Sequence, residues 1–90
     1  MYYVYILFSL NDKRLYIGFT KDLKKRFLKH KYGEVKSTKN RRPLKLIYYE
    51  AYLKEIDTKR REKYLKGGNG RKEFKIQLKV IFSEVDYICR

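Results

Sequence analysis

The sequence predicts a single small domain of the α+β class. Three features point there: apolar and aromatic runs of strand character near the start and middle of the chain, charged stretches with helical spacing ended by glycine, and a length of 90 residues, enough for one modest core. With 43% hydrophobic residues and one proline, the composition is far from a disordered profile. We expect one domain over residues 1–83 and a short C-terminal tail over 84–90.

The first run, YYVYILF, has the β-branched and aromatic content of a strand, RLYIGF has the same, and the intervening SLNDK is turn-rich. Together they predict a hairpin. A side-chain period of two puts Val4, Ile6 and Phe8 on one face with Leu15, Ile17 and Phe19, the expected core face. Tyr3, Tyr5, Tyr16 and Gly18 then share the other face, whether Tyr5 pairs with Tyr16 or with Gly18. Next, TKDLKKRFLKHKYGE carries helix signals: Thr20 or Asp22 as N-cap, Leu23, Phe27 and Leu28 as an apolar stripe, and Gly33 as the stop. Arg26 and His30, one turn apart, fall at the border of that stripe, and most of the helix lysines face solvent.

VKSTKNRRPLK reads as a polar, basic loop. LKLIYYEAYL reads as a third strand, too apolar to face water on both sides and therefore expected inside the sheet. KEIDTKRREKYLK is a charge-dense helix closed by GGNG. The last stretch, EFKIQLKVIF, alternates as a strand does, although Phe74, Leu78, Ile81 and Phe82 also fit a helical stripe; on pattern alone it reads as a strand.

Charge is the strongest global feature: 24 Lys and Arg against 10 Asp and Glu, a net +14. Such a balance favours a polyanionic partner, because cations that neutralise phosphates release condensed counterions from nucleic acid. A solubility surface or acidic lipid are the alternatives, but no segment is a clean basic amphipathic helix, and a membrane partner is not expected. The N-terminal apolar run is too short for a span and lacks a basic start and a cleavage site. A single cysteine, Cys89, has no intrachain partner, so a reducing compartment, the cytoplasm, is the expected location. Oligomeric state is not legible.

Hydrolysing a phosphodiester requires a divalent metal or equivalent on a phosphoryl oxygen, a group that orients or deprotonates water, and a cation for the charge of the transition state. The chain offers one such set. Glu62 is the candidate metal ligand, mid-helix on a turn with Thr58 and Leu65, and a hard carboxylate suits Mg²⁺, which keeps most of its waters. Arg26 is the candidate phosphate clamp, His30 a proton acceptor or relay, and Tyr5 and Tyr16 the groups that hold water, a phenol needing help to act as a base. Lys21, Lys24, Lys25, Arg41, Arg42 and Arg71 are candidates for nucleic-acid contact. Each has a plainer reading: strand tyrosines pack, Arg26 solvates a helix, and Glu62 pairs with Lys59, Arg61 or Lys63.

In order and spacing, Tyr3-Val4-Tyr5, Tyr16-Ile17-Gly18, the following LKKRFLKH and the later REKYLKG resemble the GIY-YIG nuclease family, in particular small single-domain members similar to the nuclease domain of the excision-repair subunit UvrC. The resemblance covers roughly residues 2 to 82. It implies a three-stranded antiparallel sheet flanked by helices in the order β-β-α-β-α-α, with GRKEFKIQLKVIF as a C-terminal helix against the alternation noted above. It also implies a site of Tyr5, Tyr16, Arg26, His30 and Glu62, Gly18 as the motif glycine, and one divalent ion, Mg²⁺ or Mn²⁺, on Glu62. The implied activity is metal-dependent endonucleolytic cleavage, of DNA in preference to RNA, in repair or recombination and with a protein partner from that machinery. The alternative is a basic nucleic-acid-binding module with weak or no activity. Two departures stand out: Tyr3 replaces the motif glycine, and Asn69, the nearest counterpart of an asparagine in larger members, is not counted as matched.

Overall fold

Leu15–Thr20 (β2) folds back on Tyr2–Ser9 (β1) as an antiparallel hairpin in which Tyr5 faces Gly18 and Ile6 faces Ile17. The computed structural model describes residues 1–84. After the hairpin come α1 (Leu23–Lys31), a 3-10 turn (Lys39–Arg41), β3 (Leu44–Tyr52), α2 (Glu55–Lys66), α3 (Gly68–Gln77) and α4 (Lys79–Glu84). The architecture is the expected α+β arrangement of a three-stranded antiparallel sheet with helices around it. Glu84 closes α4, and the rest of the expected tail, with Cys89, lies outside the described residues.

The strand order is β2-β1-β3, so β3 is an edge strand and not, as its apolar content suggested, the inner one. β1 takes the centre, and Val4 through Ser9 are all buried. Its unbroken apolar run is the signature of a strand covered on both faces, whereas β3 alternates between half-buried and exposed residues. On one face Val4, Ile6 and Ile17 form the core with Leu65 of α2, Phe74 of α3, and Leu78 and Phe82. Leu15 packs against this cluster as the period-two reading required, while Phe19 lies toward the margin, stacked on Tyr2 at 6.1 Å.

The C-terminal stretch is helical. Its alternation does not describe its structure, because Phe74, Leu78 and Phe82 recur every four residues and bring one helical stripe onto the core. The expected single helix is broken at Leu78 into α3 and α4.

Asp22, not Thr20, caps α1, its carboxylate accepting from the Lys25 N–H at 3.0 Å. Gly33, at φ 77°, occupies the left-handed region just past the helix. The buried side of α1 is Leu23, Arg26, Phe27 and His30; Leu28 is exposed, one step off the stripe to which it was assigned. The loop that follows is structured: the Ser9 hydroxyl donates to the Arg41 carbonyl at 2.6 Å and accepts from the backbone N–H groups of Asn11 and Asp12, tying the 3-10 turn to the hairpin turn.

A second polar cluster fastens α2 and α3 to β3. Glu50, whose side chain is 14% exposed, takes both forks of Arg61 at 2.9 and 3.1 Å and the hydroxyls of Tyr48 and Tyr52 at 2.6 and 2.7 Å. Arg61 continues to Glu73 at 3.2 Å. Burial alone would raise the Glu50 carboxyl, but Arg61 and the two tyrosine hydroxyls outweigh it and the net shift is downward. A folded-state pKa below the unfolded one contributes stability above pH about 4.5 that is lost as pH falls through the lowered value. Glu50→Gln is therefore expected to cost about 3 kcal/mol at pH 7, and the gap from wild type to narrow as pH is lowered below about 4.5, both read from urea midpoints.

Candidate active site

Tyr5 is 1% exposed, and its ring lies directly over Gly18 in the neighbouring strand. A Cβ at residue 18 would collide with the phenol carbon and its hydroxyl, so the bare backbone there is what lets the tyrosine lie flat across β2. The ring ends among groups from α1. The Tyr5 hydroxyl sits 2.8 Å from His30 Nε2, and His30 Nδ1 sits 2.7 Å from the Thr38 hydroxyl. Arg26 Nε donates to the same Tyr5 oxygen at 3.4 Å. Tyr16, half-buried, completes an aromatic triangle, its ring centroid 5.1 Å from His30 and 6.2 Å from Tyr5.

His30 is fully buried, not at the border of its helix. Helical spacing placed it beside Phe27 and could not reveal that the loop carrying Thr38 closes over it. Burial, with the Arg26 charge adding, lowers its pKa to about 4, so the imidazole is neutral near pH 7. Burial likewise pushes the Tyr5 phenol up to about 12; Tyr16 and the Glu62 charge add to this and Arg26 opposes it. A neutral imidazole has one donor and one acceptor nitrogen, and we assign the tautomer in which Nδ1–H donates to Thr38, because it lets Tyr5 donate to Nε2 while accepting from Arg26. One lone pair of the Tyr5 oxygen is left for a further donor. The Tyr5 and Tyr16 hydroxyls in turn hold Arg26 charged above its ordinary range.

Glu62 lies on α2, in the other layer, with its side chain 23% exposed and 3.4 Å from Lys66, a partner outside the three expected from sequence. Its charge adds only the smallest contribution to the rise of the Tyr5 phenol, and no hydrogen bond joins it to Tyr5, Tyr16 or Arg26. Among the described residues no three His, Cys, Asp or Glu side chains cluster as a cage for a metal. A lone hard carboxylate suits Mg²⁺ or Mn²⁺ retaining its waters, and does not suit zinc. Both ring nitrogens of His30 are engaged, which takes it out of any ligand set.

The lysines divide from the loop arginines. Lys21, Lys25 and Lys29 line a depression of about 240 Å³ that has Arg26 in its wall. Lys21 and Lys24 border an adjoining one of about 370 Å³ with Tyr3 and Tyr49, whose rings meet edge-on at 6.1 Å. Arg41 is instead paired to Asp12 at 2.6 Å, Arg42 Nε donates to the Lys39 carbonyl, and Arg71 lines a separate pocket. Asn69 is exposed near the start of α3. Nothing in the sequence points to Thr38, because one threonine in a lysine-rich loop carries no signal.

The GIY-YIG catalytic domain family model matches residues 1–77. A UPF0213 protein of Staphylococcus saprophyticus is 37% identical over 76 residues, covering 83% of this chain and 92% of the relative. One from Clostridium perfringens is 42% identical over 67 residues, covering 73% and 71%. The solution NMR structure of a UPF0213 protein from Bacillus halodurans aligns with a TM-score of 0.53 at 34% identity, over 88% of this chain and 86% of that one.

Two outcomes follow from this geometry. A His30 held neutral to about pH 4 while the unfolded chain titrates at 6.5 means that the unfolded state binds more protons between these values. Stability therefore falls by about 3 kcal/mol as pH drops through that window, and His30→Gln flattens the decline when urea midpoints are compared from pH 7 to 4.5. Gly18→Ala drives a methyl into the Tyr5 ring and lowers stability by about 1–3 kcal/mol in thermal melting.

Proposed function

Because the chain belongs to the GIY-YIG catalytic domain family, we propose that it is a divalent-metal-dependent endonuclease acting on DNA, with Tyr5, Tyr16, Arg26, His30 and Glu62 as its catalytic set. The observation that carries this reading is the bonded series Arg26–Tyr5–His30–Thr38 with Glu62 acting on the same phenol, placed beside a lysine-walled depression. Nucleic acid as the substrate class follows from the family and agrees with the net +14 charge. Service in DNA repair or recombination, with a protein partner from that machinery, rests on the likeness to UvrC's nuclease domain. No helix among the described residues is long and apolar enough to cross a membrane.

In this mechanism the scissile phosphate lies against Arg26, whose planar fork grips two of its oxygens and stays charged throughout. Lys21, Lys24, Lys25 and Lys29 hold the flanking backbone. Tyr16, the more exposed phenol, and the remaining lone pair of Tyr5 hold the attacking water in line with the leaving oxygen. His30 fixes the Tyr5 hydroxyl by accepting its hydrogen, and Thr38 fixes the imidazole in turn. When bound at Glu62, Mg²⁺ or Mn²⁺ supplies neutralising charge for the phosphate and acidifies water. Hydrolysis is a single displacement: the water oxygen bonds to phosphorus and gives up a proton to bulk solvent, the phosphorus–oxygen bond to the leaving strand breaks, and that oxygen takes up a proton from solvent.

A second reading, a basic binding module with little or no activity, draws on the burial of Tyr5 and its pKa of about 12, which keep the phenol from acting as a base unaided. Cleavage assays separate the two. On branched, single-stranded and duplex DNA, wild type is expected to cut with Mg²⁺ or Mn²⁺ and to stop with EDTA. Glu62→Gln and Arg26→Ala are each expected to lose roughly 10²-fold or more in rate, Glu62→Gln with binding retained. Salt-sensitive binding without cutting by wild type would favour the module; cutting that survives both substitutions would overturn the assignment.

A further inference from the structure

Arg41 and Arg71 do not join the α1 lysines. With Arg14 they line a pocket of about 600 Å³ at the opposite end of β2, floored by Asp12 and Leu15. The pocket is built from three separate parts of the chain: the turn before β2, the 3-10 turn and the first turns of α3. Arg41 is rigid, its Nε bonded to Asp12 at 2.6 Å and its Nη2 to the Leu15 carbonyl and the second Asp12 oxygen at 3.3 Å each, with the backbone carbonyl held by Ser9. Asp12 also accepts from the Arg14 backbone N–H at 2.9 Å, and Arg41 with that bond holds its carboxyl down at about 2. The Arg14 and Arg71 guanidinium groups have no acidic partner among the described residues and both residues are exposed, so the pocket keeps a surplus of positive charge.

The geometry points to a second phosphate-binding pocket, in which Arg14 and Arg71 grip a backbone phosphate of the same nucleic acid whose scissile phosphate lies at Arg26. Leu15 lines this pocket and Thr20 lines the lysine depression, so the length of β2 separates the two, about 17 Å at strand spacing. Along the axis of a duplex that distance spans about five base-pair steps. Two anchor points so spaced, at the two ends of one edge strand, set the direction in which the nucleic acid crosses the site. The identity of the ligand as nucleic acid rests on the nuclease reading above; the charge and shape of the pocket do not.

The test is the salt dependence of binding to a labelled DNA duplex long enough to span β2, followed by fluorescence anisotropy. Losing the one phosphate that the two arginines neutralise together is expected to reduce the slope of log K against log salt by about 0.9 in the Arg14→Ala/Arg71→Ala double variant. The Arg14→Lys/Arg71→Lys pair restores most of it. An unchanged slope overturns the pocket, as does an equal loss in Lys36→Ala/Lys63→Ala, which removes the same charge from outside it. A pocket-dependent slope in a wild-type protein that cuts no substrate would retire the nuclease reading and leave the phosphate site standing.

Discussion

A neutral imidazole enclosed between a phenol and a threonine hydroxyl holds the two sides of this molecule's polar face together. His30 comes from α1, Tyr5 from the central strand and Thr38 from the loop between α1 and β3, and none of the three has another buried polar partner of comparable geometry. A buried ring with both nitrogens satisfied fixes the rotation of the helix that carries Arg26. Had His30 been charged, Nε2 could no longer accept from Tyr5, and the guanidinium one turn away would repel it. The position of Arg26 is in this sense a consequence of the protonation state of His30.

The sheet makes the arrangement possible. Gly18 offers no side chain, so Tyr5 crosses from the centre of the sheet toward its β2 edge instead of standing upright. The Tyr5 hydroxyl there meets His30 and Arg26 of α1, and its ring lies against Gly18 and near Tyr16 of β2. The opposite side of the molecule is fastened by a different device, the Glu50–Arg61 pairing with its tyrosines, and the two polar clusters share no residue.

Much of this was legible in the residues themselves. Period two in YYVYILF and LYIGF put the core residues and the motif tyrosines on opposite faces, and the pairing of Tyr5 with Gly18 was one of the two registers it allowed. What misled was local pattern divorced from partners. The Leu44–Tyr52 run looked like an inner strand by composition, but centrality depends on pairing, and the true centre had the longer uninterrupted apolar stretch. EFKIQLKVIF alternates, yet phenylalanines and a leucine at four-residue spacing meet the core only as helices, as the family resemblance implied. Leu28 misses the stripe by one residue, and His30 is buried by a loop closing over it, which no helical wheel contains.

The place of β1 in the middle of the sheet also bears on how the chain is made. Its partners arrive at different times: β2 follows within a few residues, whereas Leu44–Tyr52 and the core residues of α2, α3 and α4 are synthesised much later. Until then an uncharged stretch of seven residues, rich in tyrosine and aliphatic side chains, emerges with one hydrogen-bonding edge open. Non-local pairing of this kind is slow relative to helix formation. The most deeply enclosed strand of the finished protein is thus the segment of the nascent polypeptide most in need of shelter from its neighbours.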